Sequence, residues 1–221
     1  MFFRNGVALL PYVTTLLLHT ETPFACVPPQ ADFPASIVFS GTRTLRDLVL
    51  DDLDVTPARW PDRKHGGIVH GGFARRTRHL LDRMDEFITS NDNLLITGHS
   101  LGGACAVLAA SYLRYNRSKN ICAVYTFGMP SIATKRFRRF YETQHIATQH
   151  FATPRDPIVH RLPTPYRELG NVFTLLECDE EQAWAHHDMR AYHAAIHGSP
   201  MQPWSLDGGG KPLKSRRFAK K

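Results

Sequence analysis

Ser100 is the residue whose type and setting most clearly favour chemistry, since it stands at the centre of a Gly-His-Ser-Leu-Gly sequence over residues 98–102. A serine hydroxyl is a poor nucleophile unless the backbone exposes it beside a base and aims it at a carbonyl carbon. The apolar run 93–97 predicts a buried strand before this sequence, and the alanine-rich run 101–115 predicts a helix after it. Such a strand-to-helix turn pushes a serine side chain outward, so Ser100 is predicted to be a nucleophile.

Asp156 is the first candidate for the acid, which is expected to follow the nucleophile along the chain. It stands between two prolines, shortly after the possible strand 146–152. The carboxyl ends of strands are where α/β proteins gather their functional groups. The alternative is an aspartate that only caps a turn through its own backbone. The residues alone leave both interpretations open.

Two adjacent histidines, His186 and His187, are the candidates for the base that completes such a site. Neighbouring residues on a helix point about 100° apart, so at most one of the two faces the serine. His160, which follows the acid closely, is a competing candidate. His99 lies inside the serine turn and is expected to pack beneath it rather than to act as the base.

The remaining histidines and the cysteines do not predict a metal centre. His193 and His197 have the i, i+4 spacing of a metal pair on one helix face, but no third ligand is in view. The four cysteines include no C-x-x-C pair. We therefore expect neither a metal ion nor an organic cofactor.

Length and composition favour one domain of α/β size. The chain has 221 residues, 43% of them hydrophobic and 21% charged, which suffices for one sizeable core but not for two. Most of its net charge of +7 comes from residues 211–221, which contain only basic charged groups. Such a tail is usually solvated, although it also suits peripheral contact with a membrane. Nucleic acid is not an expected partner.

The first 34 residues, 1–34, are predicted to be an apolar segment with a proline-rich lead-in to the domain. Their apolar stretch 6–18 is too short to span a bilayer comfortably. It is typical either of a signal-peptide core without a clear cleavage site or of a helix packed on the domain. A signal implies a secreted or membrane-peripheral protein, whereas a packed helix implies an intracellular one.

Predicted strands and helices alternate over residues 35–197. The strands are 36–39, 93–97, 121–127 and 146–152, and the helices are 44–53, 72–88, 101–115, 134–143 and 184–196. Prolines and paired glycines predict a loop over 57–67. The alternation predicts an α/β fold with a mostly parallel central sheet and helices on both faces. A flexible basic tail is predicted for 198–221.

Four blocks, in order, resemble the fungal-type, or class 3, triacylglycerol lipases of the α/β-hydrolase superfamily. Residues 38–47 resemble the family's oxyanion strand and loop, and 69–73 resemble its Val-His-x-Gly-Phe block. Residues 97–103 have the family's form of the serine turn, and 156–163 resemble its acid block. The likeness spans about residues 35–165, with a shorter match near His187.

The resemblance implies a role for each matching residue. Ser100 would be the nucleophile, Asp156 the acid and His187 the base, since His187 stands in the family's spacing to a tyrosine five residues later and His186 does not. Thr42 and the backbone N–H of Leu101 would donate to the oxyanion.

The resemblance also implies an activity and a substrate class. Residues 43–55 would correspond to the helical lid of true lipases. The implied protein is a serine carboxylic-ester hydrolase that cleaves acylglycerols or related lipid esters, with a lipid or small ester as its partner. A catalytically silent binding or signalling module and an acyltransferase are the alternatives that the sequence leaves open.

Overall fold

The computed structural model describes residues 6–41, 56–62, 64–153, 155–159, 166, 169, 171–174, 185–198 and 202–203. Its strands are β1 (Phe24–Val27), β2 (Ala35–Phe39), β3 (Pro57–Pro61), β4 (Gly66–His70), β5 (Asn93–His99), β6 (Asn120–Phe127), β7 (Thr148–Ala152), β8 (Asn171–Thr174) and β9 (Gln202–Pro203). Its α-helices are α1 (Gly6–His19), α2 (Gly71–Arg83), α3 (Asp85–Ser90), α4 (Leu101–Asn116), α5 (Lys135–Thr143) and α6 (Met189–Gly198). A single 3₁₀ turn, Ala185–His187, precedes α6 within these ranges.

The central sheet has seven strands in the order β1-β2-β5-β6-β7-β8-β9. The strands from β2 to β8 in that order pair in parallel, and the two edge strands pair antiparallel to them. Every residue of β2 is buried, as expected for a parallel strand covered on both faces. The prediction of a mostly parallel central sheet is confirmed.

Helices cover both faces of this sheet, as predicted. Alternate residues of each strand point to opposite faces, so Ile96 belongs to the core that includes residues of α2, α4 and α5, while its neighbour Leu95 belongs to the core that includes residues of α1 and α6. Among the helices described, α4 is the most buried, and its first eleven residues are all enclosed. A fully buried Val or Leu side chain, such as those of Val107 and Leu108, contributes about 1.5–3 kcal/mol, so the helix that follows Ser100 is firmly fixed to the sheet.

Helix α1 packs beside α6 on the second face, where Leu10 and Val13 are buried against the sheet. None of the helices within the described ranges combines the length and the apolar character needed to cross a bilayer.

The predicted loop 57–67 was wrong, because β3 and β4 form an antiparallel hairpin there. Prolines 57 and 61 occupy the two ends of β3, where a missing N–H is tolerated. Between them Trp60 is fully buried, and its indole N–H donates to the carbonyl of Leu108 in α4 at 3.0 Å.

Other boundaries differ from those predicted. The single helix predicted for 72–88 is divided at Met84, whose backbone (φ −106°, ψ 8°) leaves the helical region. The helix predicted over 184–196 is a 3₁₀ turn followed by α6. Strands β1, β8 and β9, all near the sheet edges, were not predicted because each is too short to show a clear alternation. The helix predicted for 44–53 lies outside the described residues.

Candidate active site

Ser100 sits alone between the end of β5 and the start of α4, as predicted for the serine turn. Its backbone has φ 54° and ψ −124°, a strained conformation for a residue with a side chain. The Ser100 N–H donates to the carbonyl of Phe127 in β6 at 2.8 Å, which fixes the turn to the neighbouring strand. Strain of this kind persists only where the surroundings impose it, and it is typical of a functional residue.

The two glycines that flank Ser100 are required by close backbone contacts. A Cβ atom on Gly98 would lie 2.2 Å from the carbonyl oxygen of Gly102, and one on Gly102 would lie 2.1 Å from that of Phe39. Neither distance is possible for real atoms. Strand β5, helix α4 and strand β2 therefore approach each other this closely only because both positions lack side chains.

The structure brings Asp156 and His187 together although 31 residues separate them. The His187 Nδ1 atom lies 2.8 Å from Asp156 Oδ1 and 2.7 Å from Oδ2, and both side chains are buried. Because a carboxylate only accepts, Nδ1 carries the proton. Asp156 Oδ1 also accepts the N–H of Ile158 at 2.8 Å, so the turn-capping alternative holds as well and is compatible with the contact to His187.

Tyr192 is a further partner of the acid. Its hydroxyl donates to Asp156 Oδ2 at 2.5 Å and accepts the backbone N–H of Thr153 at 3.3 Å. Burial, and next the nearby Asp156 carboxylate, raise the pKa of Tyr192 well above its ordinary value. The tyrosine therefore stays protonated and donates. From the sequence, Tyr192 was considered only for its spacing to His187, and no role of its own in the site was predicted.

Two buried polar atoms have no hydrogen-bond partner among the described residues at the place where chemistry is expected. They are the hydroxyl oxygen of Ser100 and the Nε2 atom of His187. Buried polar atoms are usually paired, so each exception calls for an explanation. A nucleophile and a base whose partner is the substrate supply one.

Gly128 is a residue of the site that the sequence reasoning missed. It follows the last residue of β6 with φ 59°. A Cβ atom there would lie 2.7 Å from Asp156 Oδ2 and 3.0 Å from His187 Cε1. The absence of a side chain thus makes room for the acid and the base to meet. The sequence feature that could have identified Gly128 is its position directly after a predicted buried strand.

The other histidine candidates have different environments. The ring of His99 packs 4.8 Å from that of His187, and its Nε2 lies 2.6 Å from the main-chain oxygen of His187. His99 therefore packs in the turn, as expected. His186 is buried, and its carbonyl accepts the hydroxyl of Thr153 at 3.0 Å. His160 lies outside the described residues.

The structure describes only one of the two predicted oxyanion donors. Leu101 is the first residue of α4, where backbone N–H groups point out of the helix beside Ser100 and carry the positive end of its dipole. Thr42 and the predicted lid 43–55 lie outside the described residues. Gly41, directly before Thr42, is in place, since a Cβ atom there would lie 3.5 Å from that of Ser100.

No cluster of three histidine, cysteine or acidic side chains suitable for a metal ion occurs within the part of the chain that the structure describes. The groups gathered at Ser100 are instead a hydroxyl, an imidazole and a carboxylate. They are the parts of a nucleophile-base-acid arrangement, which suits acyl transfer through a covalent intermediate.

A family model described as Lipase (class 3) matches residues 36–166, more than half of the chain. The chain belongs to the class 3 lipase family. The match includes the serine turn and Asp156 but ends before His187, so the base lies beyond the matched region.

Individual lipases show the same likeness. The chain is 30% identical to the Rhizopus oryzae lipase over 59% of its own length and 35% of that protein. It is 41% identical to a secreted mono- and diacylglycerol lipase of Fusarium solani over 43% of its length and 29% of that protein. The chain thus spans about a third of the length of these relatives.

Solved lipase structures share the fold. The Rhizomucor miehei lipase in complex with its propeptide superposes with a TM-score of 0.55 at 21% identity, covering 78% of this chain and 69% of that one. The α/β-hydrolase type of fold predicted for the chain is therefore confirmed.

Proposed function

We propose that this chain hydrolyses carboxylic esters of lipids through an acyl-enzyme formed on Ser100. One observation carries the proposal: the His187 imidazole is hydrogen-bonded to Asp156 through Nδ1, while its Nε2 and the Ser100 hydroxyl are both buried without a hydrogen-bond partner within the described ranges. Residues 35–197 would hold the catalytic groups, β1 from the segment 1–34 and β9 from the segment 198–221 add the two edge strands of the sheet, and 211–221 would form a basic tail.

The reaction would begin with attack of the Ser100 hydroxyl oxygen on the ester carbonyl carbon. His187 Nε2 takes the hydroxyl proton as the new bond forms, and Asp156 stabilises the imidazolium that results. The carbonyl oxygen becomes an oxyanion, to which Leu101 N–H at the head of α4 and Thr42 would donate. The tetrahedral intermediate collapses as His187 gives its proton to the departing alcohol.

A water molecule then completes the cycle. His187 removes a proton from the water, which attacks the acyl-enzyme carbonyl and forms a second tetrahedral intermediate. When that intermediate collapses, the proton passes to Ser100 and a carboxylic acid is released. No redox step or further cofactor is needed for these proton and acyl transfers.

Acylglycerols are the substrates we propose. The Fusarium solani relative is a mono- and diacylglycerol lipase, and the match to it is the highest in identity among the relatives cited above. Ser100 is 0% exposed in this structure, so neighbouring residues must move before an ester reaches it. Contact with a lipid surface is a natural trigger for such movement, and the basic tail 211–221 would assist docking on anionic lipid.

An ester series of increasing chain length, measured with and without a lipid–water interface, tests this function. We expect hydrolysis of acylglycerols that rises when an interface is present and that disappears in Ser100→Ala. A fluorophosphonate probe provides the matched check, because it labels an activated serine whatever the natural acyl acceptor is. A folded wild-type protein that neither takes up the probe nor hydrolyses any ester would overturn the proposal.

A further inference from the structure

The base His187 does not stand on the central sheet that positions Ser100. It is the last residue of the 3₁₀ turn Ala185–His187, and a single turn of this kind has weak internal hydrogen bonding. An imidazole misplaced by about 1 Å can cost a hundredfold in rate. Contacts from the sheet to this turn are therefore needed to hold the base in line.

Two consecutive carbonyl groups of this turn accept hydrogen bonds from side chains at the ends of two strands. His99, the last residue of β5, has its Nε2 atom 2.6 Å from the main-chain oxygen of His187. Thr153, which directly follows β7, donates its hydroxyl to the main-chain oxygen of His186 at 3.0 Å. The turn is thus attached both to the strand of the nucleophile and to the strand that leads to the acid.

The chemistry of these contacts fixes which atoms carry hydrogen. A carbonyl oxygen only accepts, so His99 must be protonated on Nε2 and unprotonated on Nδ1 when neutral. Its Nδ1 side faces Gly41, where a Cβ atom would lie only 3.0 Å away. The His99 ring therefore fills the space between the strand end before Thr42 and the backbone of the base.

We propose that His99 is a positioning residue, whose Nε2–H holds the main chain of His187 so that the base stays aligned between Asp156 and Ser100. The Thr153 hydroxyl holds the main chain of His186 in the same way. The inference rests on the proposed function, because alignment of the base matters only if His187 moves protons for Ser100.

The charge state of His99 is compatible with this task. Burial, and next the neighbouring His187, lower the pKa of His99 to about 4, although its hydrogen bond to the His187 carbonyl and the carboxylates of Asp156 and Asp188 act in the opposite direction. At neutral pH the ring is uncharged. It therefore does not repel the imidazolium that forms on His187 during the reaction, as a permanent cation at this position would.

Substitutions that keep or remove the donor test the proposal. Glutamine places an amide N–H at about the reach of Nε2, so His99→Gln should retain most of the activity, whereas His99→Met should lower kcat about 10- to 100-fold with little change in KM. Thr153→Ser retains the hydroxyl and should retain most of the activity. Thr153→Val removes the hydroxyl and should lower kcat by a smaller factor than His99→Met does.

Thr77→Val is the matched control. The Thr77 hydroxyl is also buried and donates to a main-chain carbonyl, that of Phe73, at 2.8 Å, but this hydrogen bond lies within α2 and not at the turn of the base. We expect this variant to lose stability while keeping kcat. Equal losses of kcat in His99→Gln and His99→Met would show that ring packing, not the donor, matters, and would overturn the proposal.

A readout that does not depend on turnover separates this inference from the proposed function. The proton on His187 Nδ1, held between the ring and Asp156, is expected to give a far-downfield proton NMR signal. The signal should persist in wild type, Thr77→Val and His99→Gln and be lost or broadened in His99→Met. An unchanged signal in folded His99→Met overturns the positioning role, whereas a normal signal pattern in a protein without any esterase activity overturns the proposed function alone.

Discussion

His187 Nδ1 lies within 2.8 Å of both carboxylate oxygens of Asp156, and the Tyr192 hydroxyl approaches one of those oxygens from another direction at 2.5 Å. The carboxylate is thereby surrounded by donors and almost fully buried. Its hydrogen bond to the ring leaves the proton on Nδ1, so Nε2 is available to accept one from Ser100.

Replacing Asp156 by asparagine should lower kcat about 10⁴-fold, because an amide N–H facing the ring favours the tautomer with Nε2 protonated. The variant should retain the wild-type fold. Asp188→Asn is the matched control, since this neighbouring carboxylate pairs with Arg190 at the surface and not with the base. Steady-state hydrolysis by both variants checks the prediction, and a full rate in Asp156→Asn would exclude Asp156 as the acid.

Gly128→Ala should reduce kcat through a contact rather than through a lost functional group. The new methyl group would lie 2.7 Å from Asp156 Oδ2 and push the acid or the base out of line. A side chain at positive φ also costs about 1–2 kcal/mol in stability.

Gly66→Ala provides the comparison for that prediction, because Gly66 also has positive φ and a crowded Cβ position but belongs to the hairpin. Both variants should melt at lower temperature, and only Gly128→Ala should lose kcat per folded molecule. Parallel losses of kcat in the two variants would mean that general destabilisation explains the effect.

Tyr192→Phe should both destabilise the protein and change its pH–rate profile. Removal of the hydroxyl leaves the buried Asp156 carboxylate and the Thr153 N–H each short of a partner, at a cost of about 1–3 kcal/mol. A carboxylate with one donor fewer attracts a proton on His187 more strongly, so the acidic limb of kcat/KM should move to higher pH. Thermal melting and a pH profile measured on the same preparation check both effects, and an unmoved limb would rule out the tyrosine's influence on the base.

Stability should fall as the solution is acidified from about pH 6.5 to pH 4. Burial lowers the pKa values of His99 and His150 to about 4 each, whereas both are near 6.5 in an unfolded chain. The unfolded state therefore binds more protons in this window, and stability present above pH 6.5 is lost as the pH decreases.

Urea unfolding midpoints at several pH values measure this dependence. His150→Gln should flatten the curve, because it removes one of the two buried neutral rings without touching the site at Ser100. A midpoint that is constant between pH 6.5 and pH 4 would show that neither ring stays neutral on folding.

The serine turn could be predicted from sequence because its signal is local. The apolar run before Ser100, the glycines on either side of it and the alanine-rich run after it all lie within a few turns of chain, and the structure has β5 and α4 in those places. Asp156 and His187 required the family resemblance as well. Their meeting depends on the order of parallel strands, which the residues around them do not encode.

Other features of the site arise only when distant segments come together. Gly128 matters because Asp156 and His187 occupy the space beside it, and His99 matters because the carbonyl of His187 lies opposite its ring. The β3–β4 hairpin was mistaken for a loop because its prolines are loop-forming in isolation. In the folded chain Trp60 anchors the hairpin to α4, and this long-range contact overrides the local preference.

Fluorophosphonate labelling followed by peptide mass spectrometry tests the central claim most directly. In the presence of a lipid interface the wild-type protein should take up one label, located on Ser100, and lose its hydrolytic activity in proportion. His187→Ala should label far more slowly, and Ser100→Ala should neither label nor hydrolyse. A label on another residue, or ester hydrolysis by Ser100→Ala at the wild-type rate, would contradict the assignment of Ser100 as the nucleophile.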